Sequence, residues 1–313
     1  MITFRGRRGT RLVMPRMLLT AVLLACAMLA APACDKRPAA PPADPGALNL
    51  MATILPMQNL TLAIAAGVPG VHVRQLVPIA AGCPHDYQLE PGDLKALENA
   101  KALIAVGAGY EPFLDKLADN YRGRLTIVRL DKNVERIAGD REPHPFVSPK
   151  QAAAMALTLA EALAQLDPPH AARYLENGIA AATKLQAIQD EFAKAVQALP
   201  NKRVAMATTT FAYLVRDAGL ETGPALTNDE HHGLSAGEVA AIMARLKAQK
   251  PAAILADLQV DPRTPRMFAE EIGVPVATVE VGMSGPTGPQ AFVDDLTLMT
   301  RTVANALAKG NAP

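Results

Sequence analysis

A long amphipathic stretch at 171–199 divides this chain into two blocks that share one grammar, and that division constrains the fold more than any other feature. Leu175, Ile179, Ala182, Leu185, Ile188, Phe192, Val196 and Leu199 recur every three or four residues, the spacing of one helix face. At 1.5 Å per residue such a helix runs roughly 40 Å, enough to cross a domain and join two lobes. Before it, apolar runs at 48–55, 72–79, 102–106 and 125–130 alternate with helical segments at 57–66, 91–100 and 111–120. "SPKQ" at Ser148 then opens a helix to Leu166, with Ser as cap, Pro in the first turn and Gln three residues after the cap. Beyond the long stretch, runs at 203–207, 252–257 and 274–281, with a weaker one at 223–226, alternate with helices at 211–218, 235–248, 265–272 and 290–308. Ser235 with Glu238 forms a second capping box. The alternation predicts an α/β fold: two parallel-sheet α/β lobes joined by one long connecting helix, with a ligand cleft between the lobes.

The expected boundaries are a signal peptide at 1–33, a lipidated N-terminus and flexible tether at 34–46, an N-terminal lobe at 47–168, the linking helix at 169–199 and a C-terminal lobe at 200–313. The export segment is read from basic residues between Arg5 and Arg16, an apolar run at 18–31 too short to span a bilayer, and the small-residue ending "APAC". Met14 offers an alternative start, and Cys34 is the expected lipidation site, the other reading being an incidental cysteine beside an ordinary cleavage site. "DKRPAAPPADPG" lacks apolar periodicity and reads as a tether. With Cys34 lipidated, Cys83 is the only other cysteine of the mature chain, so no internal disulfide is expected. A net charge of +1, no tryptophan and no basic run interleaved with aromatics exclude nucleic acid as a partner.

The best clue to function is a pair of Pro-His steps in polar loops, at His85 and His144. Neutral imidazole is the usual side chain for borderline metals such as zinc, and two ligands so far apart in sequence need a fold to unite them. Ligands of open α/β sheets bind outside the carboxyl ends of the strands. Thr208, Asp257 and Glu280 stand at such ends, and His231 and His232 follow the weak run, so two lobes facing each other bring these residues around one cleft. Cys83, two residues before His85, is a candidate for a soft metal, although a small buried thiol is the plainer reading. His72 and His170 read as structural, and Asp86 and Glu90 as loop and helix-start residues.

Three segments, "CPHDYQLEPGDLKALENAKALIAVGAGYEPFLDKL" at 83–117, "EPHPFVSPKQ" at 142–151 and "TFAYLVRDAGL" at 210–220, resemble signature segments of the zinc/manganese substrate-binding proteins of ABC importers, a family that includes adhesin-type lipoproteins. The resemblance runs over about 48–308. It implies a periplasmic binding protein of the metal-receptor type with one divalent metal held between the lobes. His85 and His144 match the first two ligand positions, and Glu280 stands where the last carboxylate, usually Asp, is found. The third ligand position falls on Thr208, a poor zinc ligand, so His231 or His232 is the expected substitute. Thr208, Asp257 and Cys83 remain weak or outer-layer candidates.

The function expected from this resemblance is that of an extracytoplasmic receptor, monomeric and tethered to the membrane only through its lipid. It captures Zn2+, or Mn2+ next, for an ABC transporter permease and performs no chemistry. Two other readings use the same residues: a metallohydrolase-like zinc site with an open water position, and a degenerate-site binding or adhesion protein that transports no metal. Against the hydrolase, no HExxH-type segment exists.

Overall fold

The computed structural model describes residues 47–79, 84–137, 142–226 and 234–312. In the first lobe, β1 (Leu48–Ala52), β2 (Val71–Gln75), β3 (Ala102–Ala105) and β4 (Thr126–Arg129) form one parallel sheet in the order β2-β1-β3-β4. In the second, β5 (Arg203–Met206), β6 (Glu221–Ala225), β7 (Ala253–Asp257) and β8 (Val276–Val279) repeat that order as β6-β5-β7-β8, again all parallel. The helices are α1 (Leu55–Ile64), α2 (Pro91–Leu97), α3 (Leu114–Asn120), α4 (Pro149–Leu166), α5 (Ala171–Gln197), α6 (Ala212–Asp217), α7 (Ala236–Gln249), α8 (Arg263–Ile272) and α9 (Ala291–Gly310).

The period-2 alternation of side chains sorts each sheet into two faces. Leu50 and Ala52 of β1, Ala102 and Ile104 of β3, Val204 and Met206 of β5, and Ala253 and Leu255 of β7 all enter one apolar core, which also contains residues of α4, α5 and α9. Their neighbours Met51 and Leu103 face a separate cluster with Leu97 and Phe113, whereas Ala205 and Ile254 face another with Ile242 and Phe268. One continuous core therefore passes from lobe to lobe through the helical layer. Such close-packed interiors transmit displacement and resist shear.

The long helix departs from its expected face in its first half. Tyr174, Gly178, Ala181, Leu185, Gln189, Phe192 and Val196 are buried, but Leu175 and Ile179 are 41% and 61% exposed. The cause is a close crossing with α4: a Cβ on Gly178 would lie 2.4 Å from the Cβ of Ala160, so the helix presents its smallest residue to its neighbour and turns Ile179 outward.

The weak run becomes the edge strand β6. Val204 pairs with Thr222 and Met206 with Ala225, which leaves an extra residue on β6 around Pro224. Proline has no N–H for a ladder, so a bulge on an edge strand is where the chain tolerates it. The segment expected as a helix from 111 starts instead at Leu114, because Glu111 is turned inward. Both expected caps form: the Ser148 hydroxyl accepts from the Gln151 N–H, and Ser235 and Glu238 exchange reciprocal bonds. Ser148 also donates to Asp217 at 2.6 Å, and Gln151 donates to the same carboxylate at 2.8 Å, which ties the start of α4 to the end of α6. Among the described residues, no helix is long and apolar enough to cross a membrane.

Candidate metal site

The first-lobe half of the site begins with an unusual turn. Gly107, Ala108 and Gly109, just after β3, all have positive φ, at 77°, 58° and 89°. A Cβ at Gly107 would sit 2.3 Å from Asp131 Oδ1, so the tight approach requires glycine there. Asp131 accepts the Ala108 N–H at 2.8 Å. Glu111, 4% exposed, takes the Thr53 hydroxyl at 2.6 Å and the N–H groups of Val106 and Gly107 at 2.9 and 3.0 Å. Burial is the main reason its carboxyl rises to about 7, against the three hydrogen bonds and the more distant Arg129, which pull it down. These bonds pin the turn, and the turn sets the buried ring of Tyr110 against His85 and His144.

Around Tyr110 the two loop histidines meet. His85 lies in a single turn of 3-10 helix at Pro84–Asp86, and His144 precedes another at Pro145–Val147. Their Nε2 atoms are 3.2 Å apart. The ring of Tyr110 lies edge-on to His85, His144 and Phe146, with centroids at 4.6, 5.2 and 5.4 Å. Glu142, only 2% exposed, contacts Nδ1 of His144 through Oε1, and the same oxygen accepts the His144 backbone N–H at 3.0 Å. An ion about 2.0–2.1 Å from each Nε2 would subtend an angle of about 100° at this separation, close to the tetrahedral value zinc prefers.

The second-lobe half is acidic. Asp257 ends β7, is buried, and accepts the Gln259 N–H at 2.9 Å. Burial, with the negative charge of Glu280 added, raises its carboxyl to about 6, while the Gln259 N–H and the charge of His144 act the other way. Glu280 follows β8 and caps its own loop: Oε1 accepts from Met283 N at 2.8 Å and Ser284 N at 3.1 Å, and Oε2 from the Ser284 hydroxyl at 2.6 Å. Asp295 on α9 is also raised to about 6, by burial and then by Glu280 and Asp294. Thr208 follows β5, and its hydroxyl donates to that of Thr210 at 2.9 Å. Contact between the halves runs through Tyr110, whose hydroxyl donates to the sulfur of Met283 at 3.7 Å.

The structure thus brings His85 and His144 together and sets Asp257 and Glu280 within electrostatic reach of them or of each other. It does not gather a third metal-binding side chain onto the pair: among the described residues, no group of three His, Cys, Asp or Glu is arranged to hold an ion. Cys83, His231 and His232 lie outside the described residues, as does Cys34. His72 is exposed on β2, and His170 at the start of α5 bonds Asp167 at 2.8 Å, both apart from the site. Glu142 and Tyr110 went unremarked in the sequence. The available signal for Glu142 was an acidic residue one proline before a candidate ligand, in "EPH".

Known proteins place this architecture. The family model described as ZnuA, zinc-uptake complex component A, periplasmic, matches residues 50–310. The high-affinity zinc uptake system protein ZnuA of Brucella suis is 19% identical over 310 residues, covering 83% of this chain and 92% of its own length. The manganese-binding lipoprotein MntA of Halalkalibacterium halodurans is 21% identical over 247 residues, 76% of this chain and 81% of its own. In three dimensions the SBP FpvC of Pseudomonas aeruginosa, solved in complex with Mn2+, superposes with a TM-score of 0.74 at 22% identity, over 84% of this chain and 99% of that one. Such distant structural likeness speaks for the fold alone. The family model spans both sheets, the connecting helix and both histidine loops, and on that match the chain belongs to the ZnuA family of periplasmic zinc-uptake components.

Proposed function

We propose that this protein is an extracytoplasmic solute-binding protein that captures a divalent transition metal, Zn2+ first and Mn2+ next, and hands it to an ABC import permease. The observation that carries the reading is the 3.2 Å approach of two imidazole nitrogens from loops 59 residues apart. Imidazole suits zinc, and the carboxylates of Asp257 and Glu280 across the cleft add the oxygen character that a harder ion such as Mn2+ favours. In this reading His85, His144 and Glu280 are ligands. Each carboxylate oxygen has two lone pairs, so Glu280 can cap its loop and still bind an ion. His231 or His232 supplies the donor that Thr208 lacks. The segment 1–33 is an export signal, Cys34 carries the lipid and 34–46 is the tether of a monomer whose lobes are 47–168 and 200–313. The family is one of solute-binding proteins, and the protein acts by binding and release.

Isothermal titration of the metal-stripped protein tests this. One Zn2+ is expected to bind at or below micromolar concentration, and His85→Ala or His144→Ala to weaken it at least about 100-fold, since each removes one of few ligands. No binding of zinc or manganese by the intact protein would refute the reading.

A further inference from the structure

We infer that Asn59 is a positioning residue that clasps, from the first lobe, the loop carrying Glu280, and that this loop is the strap which lets go for an ion to pass while the lobes stay joined at Asp217. The inference rests on the reading of the cleft as a metal site and adds which side of it opens. The strap, 280–288, lies between β8 and α9 in the second lobe. Asn59, buried on α1 of the first lobe, meets it with both ends of its amide: Nδ2 donates to the Pro286 carbonyl at 3.2 Å, and Oδ1 accepts the Gly288 N–H at 3.0 Å. Pro56, one turn earlier on the same helix, is 3.4 Å from where a Cβ on Gly282 would stand. The bond from Tyr110 to the sulfur of Met283 adds a tie to a weak acceptor.

The lobes meet again at the end of α6, and this junction is built differently. The Asp217 carboxylate, 2% exposed, takes the Ser148 hydroxyl and the Gln151 amide at the start of α4 in the first lobe, and Nε of its neighbour Arg216 at 2.8 Å. Arg216 also reaches across to the Glu135 carbonyl through Nη1 at 2.7 Å, and Gln189 of the connecting helix donates to the Asp217 carbonyl at 2.7 Å. Gln151 in turn accepts the Glu135 N–H at 2.9 Å. Both lobes and the connecting helix are thus tied at one point, through a carboxylate placed at the positive end of α4. Charge-assisted bonds of this kind are about twice as strong as neutral ones such as those of Asn59.

Packing repeats the contrast. A cavity of about 10 Å³ lies behind the strap, lined by Phe146 and Val147 of the first lobe and by Val281, Gly282, Phe292 and Leu296 of the second, so the seam is incompletely filled there. Gly285 has a φ of 116° with nothing within 4 Å of the place of a Cβ, so the strap bends at a residue that no side chain holds. Two neutral bonds and a sulfur contact yield before a buried network of charged ones. When the strap lifts, Glu280 moves with it, because its carboxylate is bonded to Met283 and Ser284 of the same loop. His144, one 3-10 turn before Ser148, stays on the side that Asp217 holds. One lobe's donors are fixed, and the other's carboxylate rides on the part that opens.

Amide hydrogen exchange of the metal-free wild-type protein, read residue by residue by NMR, is the first test. The N–H groups of Gly288 and Glu135 both end on the oxygen of a buried amide side chain, Asn59 and Gln151, so their protection compares the two junctions directly. Gly288 is expected to be at least about tenfold less protected than Glu135. Equal protection, or the reverse order, would overturn the inference, and this comparison stands should a variant fail to fold. Asn59→Ala is expected to lower the protection of Gly288 further, to leave Glu135 unchanged, and to speed zinc release to a chelator at least about tenfold in stopped flow. Arg216→Ala is expected to lower the protection of Glu135 and to change zinc release less than about twofold. Protection lost at both sites in Asn59→Ala, or zinc release that only Arg216→Ala speeds, would refute the choice of side. If the wild-type protein binds no zinc, the receptor reading and the passage of an ion fall together, while the metal-free exchange pattern judges the strap independently.

Discussion

Glu111 makes the stability of this protein fall as pH rises through the weakly acidic range, and the size of the fall can be worked from its surroundings. Its carboxyl is raised by burial from 4.5 to about 7, so the folded state holds a proton that the unfolded chain releases near 4.5. For an acid raised in this way the folded state binds more protons between the two values. Stability is therefore fully present below about pH 4.5 and is lost as pH climbs through about 7. A span of about 2.5 pH decades at about 1.36 kcal/mol each comes to about 3 kcal/mol, the cost of ionising a carboxyl among Thr53, Val106 and Gly107. Glu111→Gln removes the proton equilibrium and keeps the side-chain volume. Urea unfolding of the metal-free wild-type and variant proteins at intervals from about pH 4 to 8 measures it. The variant is expected to be the weaker at acid pH, because a Gln amide cannot answer all three donors. The gap should then shift by about 3 kcal/mol in its favour by about pH 7.5. Taking the difference cancels Asp257 and Asp295, which are raised to about 6 and act in the same direction in both proteins. Parallel pH profiles, within about 0.5 kcal/mol throughout, would refute the reasoning.

Three further changes test how the site is held. Gly107→Ala places a Cβ 2.3 Å from Asp131 Oδ1 at a φ of 77°, so it should cost about 1–3 kcal/mol in urea unfolding and weaken zinc binding by displacing Tyr110. Gly178→Leu forces α4 and α5 apart where a Cβ already stands 2.4 Å from Ala160, and a drop of several degrees in the thermal midpoint is expected from about 1–3 kcal/mol of overpacking. Ser148→Ala removes both the α4 cap and the bond to Asp217, which should cost about 1–2 kcal/mol, with Ser148→Thr restoring most of it in the same unfolding assay.

Much of the fold was legible because it is written in local rules: period-2 runs became strands, capping residues opened α4 and α7, and the 3.6-residue period over 171–199 became a single helix. The misreadings are tertiary in origin. Hydropathy put Leu175 and Ile179 in the core, but the contact of Gly178 with Ala160 decides which way α5 faces, and a stripe of apolar residues does not encode its partner's shape. Glu111 read as the first residue of a helix because nothing local shows that Thr53 and the backbone after β3 converge on it. At the site, residue type and loop position named His85 and His144. Tyr110 and Glu142 escaped because their roles lie in contacts with those histidines and in no spacing of their own.

The two halves of the cleft also differ in what they contribute electrostatically, and this bears on why a cation belongs between them. The first lobe offers two imidazoles, one of them held by Glu142. The second offers Asp257, Glu280 and Asp295, of which the first and last are raised by burial and further by Glu280. The influences that lower Asp257 are one backbone N–H and His144, with no lysine or arginine among them. Like charges gathered without a fixed counter-ion disfavour a packed interior unless something mobile neutralises them. A cation bound between the lobes would supply that compensation.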